Sequence, residues 1–93
     1  MREYELVFIA HPDLDDNGLT DLINKVRGWI TDNGGEVLKT DLWGKRRLAY
    51  PIRKLREGQY VLINSKMAAS FGATLERNLR FAEPVLRFLL IAK

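Results

Sequence analysis

The sequence predicts an α+β domain: one four-stranded antiparallel sheet with two helices on one face. Three observations predict it. Alternating apolar runs recur near both ends of the chain and in its middle. Two stretches with helical apolar spacing, at 16–32 and 69–81, lie between them. The resulting order is β-α-β-β-α-β, uninterrupted by any repeat, linker or low-complexity segment. A chain of 93 residues suits one domain covering 1–93, and an apolar content of 46% supports a packed core over disorder.

Each element has its own physical signature. In residues 3–10, Tyr4, Leu6 and Phe8 share one face, and Glu3, Glu5, Val7 and Ile9 share the other. A strand apolar on both faces toward its end belongs in the centre of a sheet, and Pro12 then stops it by removing a ladder donor. Over 16–32, Leu19, Leu22, Ile23, Val26 and Ile30 form one helical stripe; Asp15 or Asp16 caps its start, and Asn33-Gly34-Gly35 ends it. A second strand begins over 36–42 and resumes over 47–52, with Gly44 marking a bulge or bend. Residues 53–58 read as a charged turn. In the third strand, 59–67, Val61, Ile63 and Ser65 oppose Tyr60, Leu62, Asn64 and Lys66. Phe71, Leu75 and Leu79 mark the second helix, weakened by Gly72. After Pro84 the last strand, 85–92, sets Leu86, Phe88 and Leu90 against Arg87, Leu89 and Ile91. Together these elements predict a ferredoxin-like split βαβ unit. Its open face collects Val7, Ile9, Leu62, Leu89 and Ile91. A bare apolar face on so small a domain implies a protein partner or a homo-oligomer.

Charge is more informative than its total of +3. Residues 1–41 hold four bases and nine acids, net −5; residues 42–93 hold eleven bases and three acids, net +8. Such a split points to a polyanionic partner. The densest basic stretch contains Lys45, Arg46, Arg47, Arg53, Lys54 and Arg56 before the first acid at Glu57. Clustered cations bind a phosphate backbone with release of counterions, and arginine forks suit phosphates and base edges. Trp43 and Tyr50, interleaved with them, can stack on unpaired bases or simply pack. Charges on this stretch can also guard an edge strand. Arg77 and Arg80 neighbour each other on the second helix, and Arg2, Arg87 and Lys93 extend the positive set.

Catalytic readings fail on residue type. There is no cysteine, hence no thiolate nucleophile, disulfide or cysteine-based zinc site, and His11 is the one histidine. No phosphate-binding glycine loop or zinc-protease motif occurs. Asp13, Asp15, Asp16 and Asp21 lack calcium-loop spacing and fit helix capping. Acylphosphatases share this strand order, but their first strand-to-helix loop holds phosphate with an arginine; His11–Gly18 has none and carries three acids. A homo-oligomeric ligand-binding regulatory domain is the other alternative of the same fold. The aromatic signature of RNA-recognition motifs is also missing from Gly58–Asn64. No run is apolar enough to span a bilayer, and the acidic start is unlike a signal or transit peptide. A soluble intracellular protein without catalytic residues, metal or cofactor is expected.

The strongest pointer is a resemblance. Met1-Arg2-Glu3-Tyr4-Glu5, His11-Pro12-Asp13-Leu14 and Gly35-Glu36-Val37 are similar to segments of the small-subunit ribosomal protein six family of bacterial and organellar ribosomes. So is the long motif Trp43-Gly44-Lys45-Arg46-Arg47-Leu48-Ala49-Tyr50-Pro51-Ile52, followed by Lys54 and Gly58-Gln59-Tyr60. Leu75–Arg80 and Val85-Leu86-Arg87 continue the match, which covers nearly the whole chain in order. The resemblance implies a non-enzymatic constituent of the small subunit in the cytoplasm or an organelle. It also implies binding to the central domain of small-subunit rRNA beside small-subunit ribosomal protein eighteen, as a heterodimer. It makes Arg2, Tyr4, Lys45, Arg46, Arg47, Lys54, Arg80 and Arg87 candidate RNA contacts. For the partner protein the candidates are Trp43, Arg46, Arg47, Leu89 and Ile91, which leaves Arg46 and Arg47 undivided between the two.

Overall fold

A computed structural model describes residues 1–93. The order is β1 (Arg2–Ala10), α1 (Asp16–Asp32), β2 (Glu36–Ile52), β3 (Leu55–Met67), a 3₁₀ turn (Ala69–Phe71), α2 (Gly72–Phe81) and β4 (Val85–Ala92). The strands form one sheet in the spatial order β2-β3-β1-β4, antiparallel throughout. This is the predicted ferredoxin-like arrangement, with β1 and β3 in the centre.

The alternation along β1 decides which face is which. Tyr4, Leu6, Phe8 and Ala10 are buried, and pair across the sheet with Ser65, Ile63, Val61 and Gln59 of β3. They join one core cluster with the α1 stripe of Leu19, Leu22, Ile23, Val26 and Ile30, and with Phe71, Leu75 and Leu79 of the second helical segment. Both helices therefore cover the same face, as the apolar spacings require. The odd-numbered residues of β1 are left on the other face.

The ends of the elements follow local chemistry. Asp15 caps α1, its carboxylate accepting from the Gly18 amide at 2.7 Å. Asn33 closes it, and Gly34 turns the chain at φ +81°. Gly35 then passes beneath the helix end. A Cβ there would lie 2.7 Å from Ile30 Cγ2, 2.8 Å from the Ile30 carbonyl oxygen and 2.9 Å from that of Lys66. The second helix starts later than its apolar spacing suggests. Residues 69–71 wind as a 3₁₀ turn, and the α-helix begins at Gly72, where the 3₁₀ turn hands over to regular winding.

Two outcomes test this packing. Gly35→Ala should destabilise the protein by about 2–3 kcal/mol, because two backbone carbonyls must move; an unchanged urea midpoint would refute the close approach. Ser65 is fully buried in the core and its hydroxyl has no protein partner. Ser65→Ala should therefore stabilise by about 1 kcal/mol, raising Tm by roughly 4–8 °C in a calorimetric scan.

Candidate nucleic-acid interface

The basic segment forms an arm that outruns the sheet. Pairing of β1 with β3 stops at Ala10↔Gln59, whereas β2 and β3 continue through Arg46↔Gly58 and Arg47↔Glu57 to Ile52↔Leu55. The arm departs at a register shift between Leu42 and Gly44, with Gly44 at φ +86°. The expected bulge is thus present. The charged turn expected at 53–58 shrinks to Arg53-Lys54, since Leu55–Gly58 belong to β3. The opposed charges of Arg47 and Glu57 favour strand pairing there. Arg53 and Lys54 both have positive φ, 52° and 64°, which is the backbone of a two-residue primed hairpin turn. For side chains other than glycine each such residue costs about 1–2 kcal/mol.

Strand alternation separates the two central arginines. Arg46 and Arg47 are consecutive in an unshifted stretch of register, so they point to opposite sides of the arm. Arg46 lies on the open-face side. Its guanidinium sits 5.6 Å above the Trp43 ring, and its Nε donates to the Trp43 carbonyl at 3.5 Å. The Trp43 ring in turn stacks on Tyr60 at 6.3 Å with a 12° interplanar angle. Arg47 faces the other side with Lys45, and borders a shallow 300 Å³ hollow with Arg56 and Glu57.

The remaining candidates do not form one patch. Lys54 is exposed at the tip of the arm. Arg80 is exposed on the last turn of α2, three residues before Glu83, whose carbonyl meets the arm tip. Arg2 is exposed at the far end of β1, opposite Met67, so about 27 Å from Ala10 at ~3.4 Å per strand residue. Tyr4, a candidate by resemblance, is only 8% exposed and belongs to the core cluster, on the face it shares with Leu6 and Phe8 as its alternation predicts. Arg87 lies on the open face, but its guanidinium is held by Tyr50, donating to the hydroxyl and sitting 5.4 Å above the ring.

The open face has the residues the alternation assigns to it. Val7 stands between Leu62 and Leu89, Ile9 between Tyr60 and Arg87, and Glu5 between Asn64 and Ile91. Leu89 and Ile91 are 58% and 44% exposed. Val7, Ile9, Arg87, Phe88 and Leu89 line an apolar hollow of 250 Å³. Ion pairs Lys93–Glu5 (3.5 Å) and Lys39–Asp41 (3.3 Å) add charged groups to the sheet surface.

Sequence reasoning missed Tyr60 as the support of Trp43 and Arg53 as a tertiary contact. Tyr60 was legible as an open-face residue by its alternation with Leu62; nothing in the sequence identifies the partner of Arg53. His11, the remaining candidate base, has its Nδ1 engaged by the Asp13 amide at 3.1 Å, while Gln59 ties the same loop down by donating to the carbonyls of His11 and Leu14.

The sheet thus carries a basic arm at one end and exposed apolar residues on its open face. The family model for ribosomal protein S6 matches residues 3–92. Small ribosomal subunit protein bS6 of Carboxydothermus hydrogenoformans is 46% identical, over 98% of this chain and 95% of that protein. The bS6 protein of Moorella thermoacetica is 44% identical, over 97% and 92% respectively. The crystal structure of 30S ribosomal protein S6 from Thermotoga maritima superposes with a TM-score of 0.93 at 27% identity, covering 99% of this chain and 87% of that one. The chain belongs to the ribosomal protein S6 family, and is thus a protein of the small ribosomal subunit rather than an enzyme.

Because Leu89 stands out from the sheet, Leu89→Ser should change the unfolding free energy of the isolated chain by less than about 1 kcal/mol. A larger loss by urea denaturation would mean that the open face is already covered.

Proposed function

We propose that this protein binds the central domain of small-subunit rRNA through its arm, and small-subunit ribosomal protein eighteen through its open sheet face, in the cytoplasmic ribosome of a bacterium. The observation that carries this reading is the placement of Arg46 and Arg47 on opposite sides of the arm. Arg46 rests on Trp43, which is itself stacked on Tyr60, on the side continuous with Leu62, Leu89 and Ile91. A partner that buries those apolar groups desolvates Arg46 with them, and a guanidinium stacked on an indole is a suitable anchor for a protein contact. Lys45 and Arg47, with Lys54 at the tip and Arg80 beyond it, present free cations toward the other side and the end of the molecule. These suit phosphates of a folded RNA, with Arg2 reaching a separate strand at the far end.

The mechanism is electrostatic docking on RNA combined with apolar docking on protein. Neutralising phosphates releases counterions, so affinity falls with salt, whereas burial of an apolar face responds little to it. The two halves therefore separate in one experiment. Binding to a central-domain RNA fragment, with protein eighteen present, is measured across a salt series. Lys45→Ala with Arg47→Ala should weaken binding and lower the salt slope by about one per lost phosphate contact. Arg46→Ala should weaken association with protein eighteen and leave that slope unchanged. A salt-independent affinity, or equal slopes for both variants, would contradict the division.

A further inference from the structure

The arm is a two-stranded ribbon beyond Gln59, and such a ribbon is marginal in water without support. Its turn is also strained, with two non-glycine residues at positive φ. Yet it is tied down at three points. The Arg53 guanidinium forks onto the start of β4, donating to the Glu83 carbonyl at 3.0 Å and to the Val85 carbonyl at 3.3 Å. The Tyr50 hydroxyl and ring hold Arg87 of β4. Leu48, 9% exposed, closes on Gly58, which lies against Ile9; a Cβ at Gly58 would stand 2.2 Å from Ile9 Cγ2 and 3.7 Å from Leu48 Cδ2.

We propose that Arg53, with the Tyr50–Arg87 pair, is a clasp that holds the basic arm against β4, and that these are positioning residues rather than phosphate contacts. Arg53 directs one N–H from each terminal nitrogen to a backbone carbonyl, a pair of acceptors that a lysine could not engage with the same planar geometry. The positive φ at Arg53 is kept because the fork fixes the direction of its side chain. Arg87, a candidate RNA contact by resemblance, is held differently, by one hydrogen bond to the Tyr50 hydroxyl and by the ring beneath it. Held in place, Lys45, Arg47 and Lys54 meet RNA with their geometry already set, so less ordering opposes binding. The inference rests on the RNA-binding reading for its second half only; the clasp itself concerns the free protein.

The test uses the full chain. Amide hydrogen exchange of residues 45–57, free of RNA, should accelerate at least about tenfold in Arg53→Ala and in Arg53→Lys, while β1 and the 59–67 part of β3 stay protected. Tyr50→Phe, which keeps the ring and removes the hydroxyl, should give a smaller acceleration in the same amides. With the central-domain RNA fragment, Arg53→Ala should weaken binding about three- to tenfold at every salt concentration with a slope parallel to wild type. Unchanged arm exchange in both Arg53 variants would overturn the clasp. A slope reduced by about one in Arg53→Ala, and restored in Arg53→Lys, would make Arg53 a phosphate contact instead and likewise overturn it. If wild-type protein fails to bind the RNA, the RNA-binding reading falls, and the exchange result alone decides the clasp.

Discussion

The structure depends on the alternation of β1. This strand has a neighbour on each side, and every second residue, from Tyr4 to Ala10, is buried beneath the two helices. A slip of one residue would send Leu6 and Phe8 to the open face and put Glu5 in the core. The cost of burying an unpaired carboxylate forbids it. With β1 fixed, β3 and β4 take their registers on either side. Val7, Ile9, Leu62, Leu89 and Ile91 are consequently left on the uncovered face.

The second consequence is where the sheet stops. Beyond Ala10, β1 gives way to the His11–Pro12 turn, and from that point the β2–β3 hairpin has no inner neighbour. Paired on only one side, the hairpin carries charged side chains on both faces, which an inner strand would not tolerate. A basic arm is thus a product of strand length: β2 and β3 have 17 and 13 residues against 9 in β1. The arm stays close to the loop before α1: Arg53 and Leu55 line one hollow with His11, Leu14 and Glu83.

The fold was readable because core alternation and helical spacing are local patterns. Tyr4-Leu6-Phe8 and Leu19–Ile30 each declare their buried face without reference to anything distant. The open face was readable for the same reason. What escaped is tertiary. The Arg53 fork joins groups 30 and 32 residues apart, and nothing in the composition of the turn announces it. The length of β3 was underestimated because Arg56-Glu57 look like turn residues, although cross-strand pairing with Arg47 keeps them extended. Tyr4 enters the candidate contacts through the family motif alone, and its own alternation places it with Leu6 and Phe8 beneath the helices. Arg46 and Arg47 were inseparable by residue type; only the register, uninterrupted between them, divides them.

In the proposed function, one side of the arm and the open sheet face would meet a protein, and the other side would meet RNA. Side-chain NMR of the labelled chain, titrated first with protein eighteen alone, tests it most directly. The methyl groups of Val7, Leu62, Leu89 and Ile91 and the indole of Trp43 should shift at this step, whereas the side chains of Lys45 and Arg47 should respond only when RNA is added. Open-face methyls that stay unmoved by protein eighteen, or that respond to RNA alone, would contradict it.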